Sequence, residues 1–111
     1  MDKVRVAVVG AGAFGANHLR VLHELPAADL VAVVDSEPAR AIEVAAKYNC
    51  SAIASLAELT GKVDAAVVAV PTSAHASVGC QLLEQGIDVL VEKPIAPTLA
   101  DAERLIAASE S

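Results

Sequence analysis

Gly10, Gly12 and Gly15 stand in the pattern G-x-G-x-x-G, directly after the Val-rich run Val4–Val9 and at the start of a segment of helical period. In that setting each glycine has a mechanical task. Gly10 makes a tight turn, Gly12 lets a pyrophosphate touch the backbone, and Gly15 lets a helix sit close to the strand. The helix N-terminus behind the loop offers N–H groups and a positive dipole end to phosphate. Asp35 lies twenty residues beyond Gly15, at the end of the next apolar run. A carboxylate there accepts hydrogen bonds from the adenosine ribose hydroxyls and repels a 2′-phosphate. The chemistry these residues suit is dinucleotide binding. Ser36 and Glu37 follow, so a second acid stands where NADP would bring its phosphate, and NAD is expected over NADP. Arg40, the nearest cation, reads as a solvated helix residue, with adenine stacking or limited tolerance of NADP as the lesser alternative.

The elements that must position these residues can be read from period and punctuation. Val4–Val9 and Leu30–Val34 are continuous apolar runs, the mark of strands buried on both faces. Between them Phe14, His18, Val21 or Leu22, and Leu25 recur at helical spacing until Pro26. Pro38 suits a first helical turn, and Ala41, Val44, Ala45 and Tyr48 then fall on one helix face. Ala52–Ala54 is a weaker third strand, and Ser55 can cap one helical turn through Leu59. The alternation then repeats. Ala65–Val70 reads as a strand stopped by Pro71, and Val78, Leu82 and Leu83 mark a helix ending near Gly86. Asp88–Val91 is a fifth strand. Thr98 and Asp101 resemble a capping box ahead of the stripe Leu99, Ala102, Leu105 and Ile106.

Strands separated by helix-length segments imply right-handed βαβ crossovers and a parallel sheet. The expectation is an α/β, Rossmann-type doubly wound sheet of about five strands in the order 3-2-1-4-5, one dinucleotide-binding domain over residues 1–111. A complete dinucleotide fold usually has six strands. The sixth is expected to be absent, leaving strand five as an edge through which the chain self-associates. The last helix is expected to carry an apolar face that wants a sheet.

Composition narrows the partners. The 111 residues carry a formal charge of −6, which argues against nucleic acid and anionic membrane. No apolar run is long enough to span a bilayer. Met1–Ala16 superficially resembles a signal peptide, but its apolar stretch is short, holds three spaced glycines and lacks a cleavage-like segment. Cys50 and Cys80 have no partners at zinc spacing, so no metal is expected, and two such thiols fit a reducing, cytoplasmic compartment. His18 falls on the apolar stripe and reads as a core histidine.

Glu92-Lys93-Pro94 follows the fifth strand, and Pro71-Thr72-Ser73-Ala74-His75 follows the fourth. Both loops lie at the carboxyl edge of the sheet with the glycine loop, where ligands of open α/β sheets bind. With Val6–Gly15, Asp35, Asp64–Thr72, His75 and Glu92–Pro94 together, the chain resembles the glucose–fructose oxidoreductase/inositol dehydrogenase (Gfo/Idh/MocA) family of NAD(P)-dependent sugar and cyclitol oxidoreductases. The resemblance covers essentially the whole chain. It implies that Gly10, Gly12, Ala13, Phe14 and Gly15 hold the pyrophosphate and Asp35 the adenosine ribose. It implies that Pro71, Thr72 and His75 lie along the cofactor toward the nicotinamide. Glu92 and Lys93 would sit by the nicotinamide, with Lys93 touching the reacting hydroxyl. A backbone or solvent partner for His75 is an equal alternative.

Lys93 suits that role chemically, because an amine within reach of an alcohol can relay its proton and stabilise alkoxide charge. The family normally continues into a second domain that binds the sugar and supplies a catalytic histidine, and 111 residues do not contain it. The chain alone is therefore expected to bind NAD and to turn over poorly. The alternative is a stand-alone dinucleotide-binding module without catalysis.

Overall fold

The computed structural model describes residues 3–91, 96 and 98–110. Its elements run β1 (Val4–Val9), α1 (Ala13–Glu24), β2 (Ala28–Val34), α2 (Pro38–Tyr48), β3 (Ser51–Ile53), β4 (Ala65–Val68), α3 (His75–Glu84), β5 (Asp88–Val91) and α4 (Leu99–Ser109). Single 3-10 turns at Leu56–Leu59 and Thr72–Ala74 precede β4 and α3. The five strands pair in parallel in the order β3-β2-β1-β4-β5. This is the Rossmann-type topology expected, with the first crossover running outward from β1 and the second half returning to its other side.

Helices cover both faces. Val6, Val8, Leu30, Val33 and Val67 pack with Leu19 of α1, flanked by Val44 and Tyr48 of α2. Ala7, Val9, Ala32, Val34, Ala66 and Val68 pack with Leu59, Leu82 and Ile87 on the other face. A register shift opposite Val6 and Ala7 lets Val31 and Ala32 both turn to the α3 side. Small residues at the centre of the sheet, Ala7, Ala32 and Ala66, let these layers approach closely.

Local chemistry explains where elements stop. Pro38 opens α2, whose end is set by Asn49 in the left-handed region (φ 55°). Gly86, at φ 78°, plays the same part after α3. Ser55 and Glu58 form a reciprocal capping box around the turn Leu56–Leu59. At α4 only half of the expected box forms: the Thr98 hydroxyl accepts the Asp101 amide at 3.1 Å.

Four expectations need adjustment. The second strand begins at Ala28, two residues before Leu30. The fourth strand ends at Val68, two residues early, although the Ala69 amide still donates to the Val9 carbonyl at 2.8 Å. The third begins at Ser51 and ends at Ile53. Helix α4 does not lay its stripe on the sheet. It packs on α3, with Leu105 buried against Gly79, while Leu99 and Ile106 are 76% and 53% exposed. A Cβ at Gly79 would stand 2.5 Å from Leu105 Cδ2, so the missing side chain there makes room for Leu105 between the two helices. Among the described residues β5 pairs with β4 alone and leaves Leu90 57% exposed.

Candidate dinucleotide site

A cleft of about 810 Å³ opens at the carboxyl edge of the sheet. Val9, Gly10 and Gly12 form its floor, and Asp35, Ser36 and Arg40 one wall. Ala54, Ser55 and Leu56 close that side, while Ala69, Val70, Pro71, Thr72, His75 and Val78 form the opposite wall. The topology explains this convergence: β1 is the switch point from which the chain crosses in both directions, so the loops after β1, β2 and β4 part around one crevice.

The three glycines of the loop differ in what demands them. Gly10 sits at φ 99°, and a Cβ there would meet the Ala69 carbonyl oxygen at 2.6 Å. Gly15 is tighter still, since a Cβ would stand 1.8 Å from the Gly10 oxygen. Both are required by the fold. Gly12 is different. It has ordinary extended backbone and nothing within 4 Å of where its Cβ would be, so its missing side chain leaves open cleft. Gly12 also caps α1, whose first turn receives no side-chain cap. Ala13 and Phe14 form that first turn with their backbone. An anion seated on Gly12 would meet the amide end of the helix.

Asp35 is the most constrained polar group of the cleft, with a side chain only 2% exposed. Its Oδ2 accepts the Ala11 amide at 2.7 Å and Arg40 Nε at 3.0 Å. Its Oδ1 accepts the Glu37 amide at 2.8 Å and Arg40 Nη2 at 3.0 Å. Burial pushes the carboxyl up, but the Arg40 guanidinium and the Glu37 and Ala11 amides outweigh it and hold Asp35 below the usual carboxylate range. Arg40 is therefore not a solvated helix residue. It stands in the first turn of α2, where its fork reaches back over the end of β2.

His75 opens α3 and is 2% exposed, with Nε2 3.0 Å from the Val70 carbonyl oxygen. The backbone partner anticipated for it is real, and the ring still lines the cleft. Pro71 and Thr72 line the same wall, where the Pro71 carbonyl accepts the Ala74 amide at 2.8 Å. Glu92 and Lys93 lie outside the described residues, as does Pro94. The strand that leads to them ends beside β4, with Val91 opposite Val68, on the cleft's edge of the sheet. His18 is half-buried. Among the described residues no helix is long and apolar enough to cross a membrane, and no group of three or more His, Cys, Asp or Glu is placed to hold a metal.

Ala54, Ser55, Leu56 and Val78 were not among the candidates from sequence. Val78 was visible only as part of a helical stripe. The other three follow a short strand whose spatial neighbour, β2, is set by the sheet order.

Residues 4–111 match the family model GFO_IDH_MocA, an oxidoreductase family with an NAD-binding Rossmann fold. Inositol 2-dehydrogenase 1 of Saccharopolyspora erythraea is 41% identical over 94% of this chain and 32% of its own length. The crystal structure of GenD2 from gentamicin A biosynthesis, in complex with NAD, superposes with a TM-score of 0.93 at 33% identity, covering 99% of this chain and 32% of that one. KijD10, a 3-ketoreductase from Actinomadura kijaniata in complex with NADP and TDP-benzene, superposes with a TM-score of 0.91 at 27% identity, over 98% and 34%. The chain thus spans about a third of the length of these relatives.

Proposed function

The chain belongs to the Gfo/Idh/MocA oxidoreductase family, and on that premise we propose that residues 1–111 are its dinucleotide-binding domain, with NAD preferred to NADP. The reaction served is hydride transfer between the nicotinamide and a secondary hydroxyl of a sugar or cyclitol. One observation carries the reading: Gly12 leaves its side of the cleft open at the amide end of α1, while a buried carboxylate, Asp35, stands beside the same loop and accepts the Ala11 amide. The residues present fit a dinucleotide from pyrophosphate to ribose.

Gly10, Gly12, Gly15 and the backbone of Ala13 and Phe14 seat the pyrophosphate. Asp35 orients the adenosine ribose. Pro71 and Thr72 shape the wall toward the nicotinamide, and His75 holds the Val70 carbonyl that begins that wall. When bound, NAD supplies the hydride acceptor. Lys93, beside Glu92 after β5, takes the hydroxyl proton as the carbinol hydride departs, and returns it in the reverse direction. Residues 1–111, which span about a third of the length of these relatives, bind cofactor but turn over poorly by themselves. The exposed Leu90 edge of β5 is the surface through which the chain self-associates, in the cytoplasm.

Calorimetric titration with NAD and NADP tests this directly. Saturable NAD binding, weaker NADP binding and negligible NADH formation with added polyols are the expected results. A folded chain that binds neither dinucleotide overturns the reading. Light scattering on the same sample checks self-association, which a monomer at high concentration would exclude.

A further inference from the structure

Ser55 lines the cleft, and nothing said so far gives it a part there. Its place follows from the sheet. Strand β3 runs beside β2 with Ile53 opposite Val34, so the residues that follow, Ala54 and Ser55, leave the sheet beside Asp35 and Ser36. A base attached to a ribose at Asp35 comes up against this side of the cleft. Much of what it meets is apolar: Val34, Ala54 and Leu56 on the near side, Val70 and Val78 on the far side. Such walls suit a flat ring and give little reason to prefer one base to another. Ser55 adds a hydroxyl to them.

A neighbour fixes the polarity of that hydroxyl. Glu58 Oε2 accepts both the Ser55 amide, at 3.0 Å, and the Ser55 hydroxyl, at 3.3 Å. An ionised carboxylate only accepts, so the hydroxyl proton is turned to Glu58 and the oxygen meets a ligand through a lone pair. Of the oxygen's lone pairs, the capping box takes one for the Glu58 amide. We infer that Ser55 is a specificity-determining residue that reads the base of the dinucleotide, accepting a hydrogen bond from the 6-amino group of adenine. A base with an oxygen at that position sets acceptor against acceptor and is held less tightly. The inference rests on the dinucleotide reading above.

The experiment is calorimetric titration with NAD and with nicotinamide hypoxanthine dinucleotide, which carries an oxygen in place of the 6-amino group. The proteins are the wild type, Ser55→Ala, Ser55→Thr and Glu58→Ala. The wild type is expected to hold NAD about fivefold more tightly, the size of one hydrogen bond in a cleft open to water. Ser55→Ala should abolish that preference through a loss in NAD affinity. Ser55→Thr keeps the hydroxyl and should keep the preference. Glu58→Ala frees the hydroxyl proton to turn toward an oxygen, so the hypoxanthine dinucleotide should gain and the preference should shrink. That variant carries the comparison if Ser55→Ala does not fold. A wild type that binds both dinucleotides alike overturns the inference and leaves the dinucleotide reading standing. Equal losses for both ligands in Ser55→Ala also overturn it, since Ser55 would then only hold its own turn in shape. A folded wild type that binds neither ligand fails the dinucleotide reading itself and takes the inference with it.

Discussion

Two arginine–aspartate pairs sit at opposite edges of the sheet and share nearly the same geometry. At the amino edge, Arg5 on β1 meets Asp64, just before β4, with Nη2–Oδ1 at 3.0 Å and Nε–Oδ2 at 3.3 Å. At the carboxyl edge, Arg40 meets Asp35 with both contacts at 3.0 Å. Both aspartates also accept backbone amides, Asp64 from Arg5 and Asp35 from Ala11 and Glu37. The difference lies in exposure. The side chains of Arg5 and Asp64 are 45% and 48% exposed, so water competes with their pairing. Asp35 is closed off beneath Arg40 in a cleft wall, where its bonds carry more weight and breaking one leaves a buried polar group unpaired. The first pair closes a strand junction, and the second forms part of the wall of the cleft.

The hardest way to break the contrast is Gly15→Ala. Its Cβ would drive into the Gly10 carbonyl and displace the loop that brings Ala11 to Asp35, for a loss of about 3 kcal/mol in urea unfolding. Combined with Asp35→Ala the loss should be less than additive, and with Asp64→Ala additive, because only the first two share a partner. Asp35→Ala alone should lower stability by about 2 kcal/mol, since it strands two amides and a guanidinium. Asp64→Ala should cost visibly less by the same measurement.

Gly12→Ala sharpens the comparison from the ligand's side. Nothing in the structure resists that methyl group, so the urea midpoint should stay within about 0.5 kcal/mol of wild type. NAD affinity should nevertheless fall about tenfold or more, because the methyl would occupy the cleft. Retained affinity would remove Gly12 from the phosphate site.

Acid and salt give the smaller effects. Asp35 and Asp64 both ionise more readily in the folded chain, Asp64 through its hydrogen bonds to Arg5. Their stabilisation is complete above about pH 4, the unfolded value, and is lost as pH falls through the lower folded values. Asp35→Asn should flatten the acid limb of a stability–pH curve more than Asp64→Asn does. Raising salt toward about 1 M, where the screening length is about 3 Å, should remove what Asp64→Ala costs while leaving most of the Asp35→Ala loss.

Much of the molecule could be read from local pattern. The apolar runs Val4–Val9 and Asp88–Val91 became strands with those bounds, because buried parallel strands need continuous apolar residues whatever their neighbours. Pro38, Gly86 and Ser55 punctuated the chain where expected, since turn and cap chemistry acts within a few residues. The glycine loop and Asp35 declared the crevice by type and spacing alone. Less was legible where two segments meet. Leu99 and Ile106 share a stripe with Leu105, yet of the three only Leu105 is buried, at the place where Gly79 on another helix leaves room for it.

The sequence by itself therefore determined the order of elements, the glycine loop and the acid at the end of β2. These follow from the helical and strand periods and from the backbone freedom of glycine, which are properties of short stretches. Only the tertiary structure decided that Arg40 turns back onto Asp35, that the His75 ring reaches the Val70 carbonyl, and that Gly12 faces open space while Gly15 is packed against backbone. Each depends on how a helix is set against a strand end, through packing contacts that residue spacing does not encode.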